Sequence, residues 1–274
     1  MHDLKRPSIA AEAVDKADWL KSAAIIFVFA GHFGYFFVEN DRWWSVFGRF
    51  GAPIFFFLLG YARSRTVPLH WIWLGVTLTA LESWNADWTW VAPNILLSFA
   101  LIRLVRPYAL AFLQTNGWAA FVLMELLLFA LAPVAGSWAD YGAEGWLWAL
   151  FGLCQRQHAD AATNEPGGEG QASSPPRQKS EVPGLMRLLA GLVAAIAYVW
   201  QEQQEFAFPP MPLAVFVLGL AILSLWLCLF RRGPSPVQPW RPIAIVLQFV
   251  GRRTLEIYAI QLAGSELLTL ALDL

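Results

Sequence analysis

Lys21 and His32 stand ten residues apart in DWLKSAAIIFVFAGHFGYFF, residues 18–37, a stretch that is otherwise almost wholly apolar. Eleven helical steps of about 100° return the direction to within about 20°. The two side chains therefore project from one face of one helix, roughly 16 Å apart along its axis. An imidazole takes or gives a proton near neutral pH. An ionisable group so deep in an apolar helix faces a protein interior or a watery cavity, and marks function by default. The competing reading is a histidine that only cross-links two helices by a hydrogen bond. Gly31 and Gly34, close beside it, let another helix or a ligand approach the backbone.

Four more polar residues sit where chemistry could use them, each with two readings. Glu125, in FVLMELLLFALAP, lies in the middle of an apolar run. It is either a protonated helix-packing group or a partner for His32 or Arg49. Paired with His32 it could also form the proton relay of a transporter or channel, although no half-chain repeat of the kind common in transporters is visible. Arg49, in GRFGAP, either turns inward to the same cavity or snorkels to the interface. Asn94 follows Pro93 at a helix start, where capping and substrate contact are equally open. Tyr258, in TLEIYAIQL, either donates a hydrogen bond within a site or anchors an interface.

The elements that carry these residues are membrane helices. The chain has 274 residues, 57% hydrophobic and only 14% charged, against about a quarter charged in soluble domains. Its mean hydropathy is +0.48. A spanning helix needs roughly 20 mostly apolar residues, and nine candidates follow: about 19–38, 46–62, 69–86, 90–105, 116–135, 143–156, 184–200, 211–230 and 254–272. This predicts an all-α polytopic bundle. Residues 240–253, WRPIAIVLQFVGRR, are short and basic-ended, as expected of an interfacial segment before the last span. Residues 1–17 are expected as a polar cytoplasmic segment without a secretory signal. Residues 157–183, rich in Gly, Pro, Ser and Gln, are expected as a mobile cytoplasmic loop between spans 18–156 and spans 184–274. Cys154 and Cys228 look like small hydrophobes, and no metal site is expected. The net charge of -1 gives no reason to expect nucleic acid.

Orientation follows from Lys and Arg. With a cytoplasmic N-terminus and nine alternating spans, all of the 19 basic residues except Arg42 and Arg49 fall on or near the cytoplasmic side. The opposite loops carry Glu82, Asp87, Asp140, Glu144, Glu202 and Glu205. Trp43, Trp44, Trp84, Trp88 and Trp90 cluster at predicted outer ends, as an aromatic belt does.

These residues also carry a resemblance. The Lys-x10-His spacing on a first membrane helix resembles the R/K-x10-H motif of the acyltransferase 3 superfamily. More closely, DWLKSAAIIFVFAGHFGYFF, WWSVFGRFGAPIFFFLLGYARSR, PNILLSFAL, DYGAEGWLWAL and GRRTLEIYAIQL resemble, in order, successive blocks of the TraX family. That family is named after the protein implicated in N-terminal acetylation of F-pilin. Two positions depart from the pattern. Gly31 stands where many relatives have an acid, and the late Tyr-x-x-His appears as Tyr258 and Gln261.

The resemblance implies a multi-pass acyltransferase of the bacterial inner membrane, with acetyl-coenzyme A as acyl donor. The acceptor would be an amine or hydroxyl on a protein or glycan beyond the outer half of the bilayer. Lys21, Arg63, Arg65, Arg252 and Arg253 become candidates for the phosphates of the donor, although all five also serve topology. His32 becomes the base, as a direct catalyst or as a transient acyl-histidine. Arg49 becomes the holder of an acceptor anion or of developing negative charge. Asn94 is the candidate substrate contact. The alternative is a non-catalytic TraX-like subunit packed within a larger membrane complex, with exposed aromatic faces and a cavity too narrow for pantetheine.

Overall fold

The computed structural model describes residues 13–38, 41–64, 66–88, 90–136, 138–163 and 184–272. Arg65, residues 1–12 and residues 164–183 of the expected loop lie outside the described residues. The described residues form nine helices: α1 (Lys16–Phe37), α2 (Arg42–Gly48), α3 (Gly51–Tyr61), α4 (Leu69–Asn85), α5 (Ile95–Ala135), α6 (Gly142–Thr163), α7 (Gly184–Phe206), α8 (Pro210–Cys228) and α9 (Arg241–Leu272). Six stretches are long and apolar enough to cross a membrane: α1, α2 with α3, α5, α7, α8 and α9.

Several helix boundaries have a local cause. Asp15 caps α1 by accepting from the Ala17 amide, and the Asp18 carboxylate accepts from the Asp15 amide, which completes a capping box. The apolar run at 46–62 breaks at Arg49 and Phe50 into α2 and α3. Asn94 accepts from the Leu96 amide at 3.2 Å and starts α5 there, later than the 90 expected. The expected gap at 106–115 is helical instead. Arg106, buried, donates to the carbonyls of Arg63 and Ser64 at 3.3 and 3.0 Å, and so holds that turn against the chain after α3. At about 1.5 Å per residue, the 41 residues of α5 would span twice the roughly 30 Å of a hydrocarbon core. The break comes at Gly117, whose φ of 64° and ψ of -146° suit a residue without a Cβ.

The loop expected from 157 starts inside α6. Arg156 pairs with Asp160 one turn on at 3.0 Å, Arg63 reaches the same carboxylate at 2.7 Å, and the helix runs on to Thr163. Helix α9 contains a break at Arg253 (φ -117°, ψ 21°), which separates the basic-ended segment from the last apolar stretch at the expected place.

Helix α3 is the centre of the bundle. It is apolar on every side, and a helix of that kind is buried on every side. All but one of its residues are buried. It packs on α6 backbone to backbone: a Cβ on Gly60 or Gly152 would collide with the carbonyl of Ala149 or Phe57 respectively. Around it Phe56, Phe57, Trp148, Phe151, Tyr198 and Phe216 form a fully buried aromatic core. The outward faces stay apolar, with Leu123, Leu126, Ile222 and Leu225 exposed. Water would penalise such surfaces but lipid tails solvate them.

Charge is segregated along the bundle. Asp15, Lys21, Arg63, Arg103, Arg106, Arg156, Arg187, Arg232 and Gly251 belong to one end, linked by contacts such as Arg232 with Asp15 at 3.0 Å and the Arg232 amide with the Tyr61 hydroxyl at 3.3 Å. Arg49, Glu82, Asp140, Glu202 and Glu266 belong to the other. There Trp84 stacks on Trp88, and Trp90 meets Trp138 edge-on, all four exposed.

Candidate functional site

A cavity of about 480 Å³ lies at the acidic end, lined by α1, α2, the start of α3, α4, α5, the end of α7, α9 and the turn before α6. His32, Arg49, Asn94 and Tyr258 all line it. Four residues far apart in the chain are thus brought together by four different elements.

His32 enters from α1. Its Nδ1 lies 2.5 Å from Gln261 Oε1 on α9, and its ring sits 5.7 Å from that of Tyr258. The two helices run side by side in the same direction, because Lys21 Nζ also donates to the Gly251 carbonyl at 2.9 Å. One pairing near each end sets their register.

Arg49 turns inward. Its Nε is 3.0 Å from Glu202 Oε2, a second nitrogen is 3.6 Å from Glu205 Oε1, and a third donates to the Tyr141 hydroxyl at 2.9 Å. The guanidinium lies 4.2 Å over the Phe206 ring, and the Arg49 carbonyl accepts from Tyr198 Oη at 2.8 Å. Glu202 is 4% exposed at its side chain, so the pair is largely desolvated. Of the two readings of Arg49, the inward one describes the molecule.

Asn94 is a cap whose side chain also faces the cavity. Its Oδ1 caps α5, while its Nδ2 donates to Glu82 Oε1 at 3.1 Å and to the Tyr258 hydroxyl at 3.4 Å. Its amide donates to Thr79 Oγ1 at 2.9 Å, which ties the start of α5 to α4. Nearby, Asn85 of α4 donates to Glu266 of α9.

Asp140 and Tyr141 close the cavity from the turn before α6. Burial pushes the Asp140 carboxyl up to about 6, with Glu205 adding to the rise and Arg49 and the Ile95 and Tyr141 amides opposing it. Burial likewise raises the Tyr141 phenol. Tyr141 has a φ of 56°, unusual for a bulky residue, and its hydroxyl is held by Arg49.

The other expected residues lie elsewhere. Glu125 is buried on α5 within electrostatic reach of Cys154 on α6 and does not line the cavity; of its two readings, the partnership with His32 or Arg49 is not formed. Lys21 is at the basic end and does not line the cavity; on α1 the lining begins at Val28. Arg63 pairs with Asp160, Arg253 with Glu256 at 3.4 Å, and Arg252 lies near Asp18. These cations share the basic end with Arg103, which lies 4.7 Å over Trp71.

Sequence reasoning placed Glu82, Asp140 and Glu202 among outer-loop charges, yet they line or brace the cavity. The signal was present: Glu202 and Glu205 are three residues apart on α7, one face of a helix, at the same end as Arg49.

A family model described as TraX protein matches residues 16–163, which includes His32, Arg49, Asn94 and the Asp140–Tyr141 turn. Comparison with curated proteins and with solved structures found no match. The matched region covers more than half of the chain, and the protein belongs to the TraX family.

Proposed function

We propose that the protein is a bacterial inner-membrane acyltransferase, an acyltransferase 3-like bundle crossing nine times with its basic end cytoplasmic. It moves an acetyl group from acetyl-coenzyme A to an amine on a protein at the outer side. The observation that carries this reading is the convergence of His32, Arg49, Asn94 and Tyr258 on one cavity. His32 is a base for the attacking nitrogen. The Tyr258 hydroxyl accepts from Asn94, which leaves its own proton for an oxyanion.

Charge favours an amine over an anionic acceptor. Arg49 is occupied by Glu202 and Glu205 behind the cavity, and the lining itself adds Glu82, Asp140 and Glu266. Such a cavity attracts a cation and repels a carboxylate or phosphate. The phosphates of the donor suit the opposite end, beside Lys21, Arg63, Arg252 and Arg253. The roughly 16 Å between Lys21 and His32 is of the order of a pantetheine arm. Arg49 then acts as a clamp joining α2 to α7 rather than as the holder of an acceptor anion.

Transfer of radiolabel from acetyl-coenzyme A by purified protein tests this, with His32→Ala and Lys21→Ala beside it. Loss of transfer in His32→Ala is expected; retention would remove the mechanism.

One observation favours a second reading, a non-catalytic subunit of a larger membrane complex. Lys21 is bound to the Gly251 carbonyl and stands apart from the cavity, whose lining stops at Val28 on that side. Failure of the unmodified protein to bind coenzyme A would select that reading.

A further inference from the structure

We propose that Gln261 is a positioning residue that fixes the tautomer of His32, placing the ring proton on Nδ1 and the basic lone pair on Nε2. Gln261 lies 229 positions from His32 in the chain, and its Oε1 approaches Nδ1 to 2.5 Å. An amide oxygen only accepts, so with Oε1 toward the ring, the Nδ1 proton is the one shared.

The amide is held from its other end as well. Its Nε2 donates at 3.1 Å to the hydroxyl of Ser265, one turn further along α9 and 7% exposed. Both ends of the amide are thereby satisfied: the oxygen by His32 and the nitrogen by Ser265. At neutral pH a free imidazole has no such fixed choice. A hydrogen bond to one ring nitrogen decides which nitrogen is left as the base.

The arrangement matters because a base with its proton on the wrong nitrogen cannot act. In the transfer proposed above, on which this role rests, the acceptor nitrogen attacks the thioester carbonyl. The new C–N bond forms as the C–S bond breaks. One proton leaves the nitrogen for His32 Nε2 and then passes to the departing sulfur. Throughout, Nδ1–H stays on Gln261, whose neutral oxygen can support the imidazolium without adding a charge. A carboxylate at this position would accept the same bond, while a side chain without an acceptor would release the ring.

The tautomer is readable without turnover. We expect nitrogen-15 NMR of histidine-labelled protein in nanodiscs to show His32 protonated on Nδ1, the signal being assigned by its loss in His32→Asn. Gln261→Glu should keep Nδ1 protonated. Gln261→Met, of similar shape but without the acceptor, should shift the proton toward Nε2. It should also lower kcat by about 10- to 100-fold, as loss of an orienting partner does at other sites, with KM for the donor unchanged. Ser265→Ala should move the spectrum in the same direction by less.

An Nε2-protonated ring in the unmodified protein would overturn the assignment, as would an unchanged ring in Gln261→Met. Should Gln261→Met not fold, the spectrum of the unmodified protein decides alone. A protein that shows Nδ1–H but transfers no acetyl group would end the acyltransferase reading and leave the tautomer assignment standing.

Discussion

Gly31 of α1 and Gly48 of α2 touch backbone to backbone. A Cβ on Gly31 would lie 2.8 Å from the Gly48 Cα, closer than any real contact of that kind. One turn along, a Cβ on Gly34 would collide with the Trp44 side chain. The glycine beside His32 is therefore a packing requirement in this chain, and its presence does not require that chemistry was lost.

Gly31→Ala is expected to destabilise the bundle by about 1–3 kcal/mol, the usual cost of overpacking, and Gly31→Asp by at least as much. Thermal unfolding of the purified protein checks this. A variant as stable as the parent would contradict the close crossing of α1 and α2.

The carboxylates around Arg49 should differ in weight. Removing the guanidinium strands Glu202, whose side chain is 4% exposed, and breaking a buried pair costs about 3–5 kcal/mol. Glu205 is 57% exposed, and an exposed ion pair contributes about 0–1 kcal/mol. Arg49→Ala is thus expected to lower the unfolding temperature sharply and Glu205→Ala hardly at all. Equal effects would show that the clamp is not anchored on Glu202.

Asp140 sets a pH dependence. Its carboxyl titrates near 6 in the folded protein against 3.8 for an unperturbed aspartate. Between those values the folded state holds a proton that the unfolded state releases. The contribution of this group to stability is full below about pH 3.8 and is lost as pH rises through about 6. Unfolding midpoints compared from acid to neutral pH should show this decline. Asp140→Asn should flatten it, and an unaltered slope would contradict the assignment.

The inside-positive orientation predicts which end is reachable from outside the cell. Val237 belongs to the basic end and Trp88 to the acidic end, and both are exposed. The two native cysteines are buried, so they give little background. Trp88→Cys should react with an impermeant thiol reagent in intact cells, and Val237→Cys only after permeabilisation. The reverse pattern would invert the protein in the membrane.

Much of the fold was legible because it depends on local physics. Apolar runs of membrane length, the break near Arg253, the Asn94 cap and the single face shared by Lys21 and His32 follow from the 3.6-residue period and from backbone hydrogen bonding within one segment. The segregation of Lys and Arg was legible for the same reason, since each charge can be assigned to the end of its own helix. Helix continuity was harder. The turn expected at 106–115 moved to Gly117 because contacts from Arg106 to the chain after α3 hold that stretch helical.

The site itself divides along the same line. By itself the sequence determined that His32 sits deep on the face that also carries Lys21, and that the protein is a membrane bundle of the TraX family. Only the tertiary structure decided that Gln261 receives the imidazole, that Glu202 receives Arg49, that Glu125 stands apart beside Cys154, and that Lys21 rests on the Gly251 carbonyl. The reason is geometric. A residue's depth and face follow from its own helix, but its partner depends on how far the neighbouring helix is rotated and slid against it. That register is set by many contacts across the bundle, such as the glycine crossing of α1 with α2 and the close packing of α3 on α6.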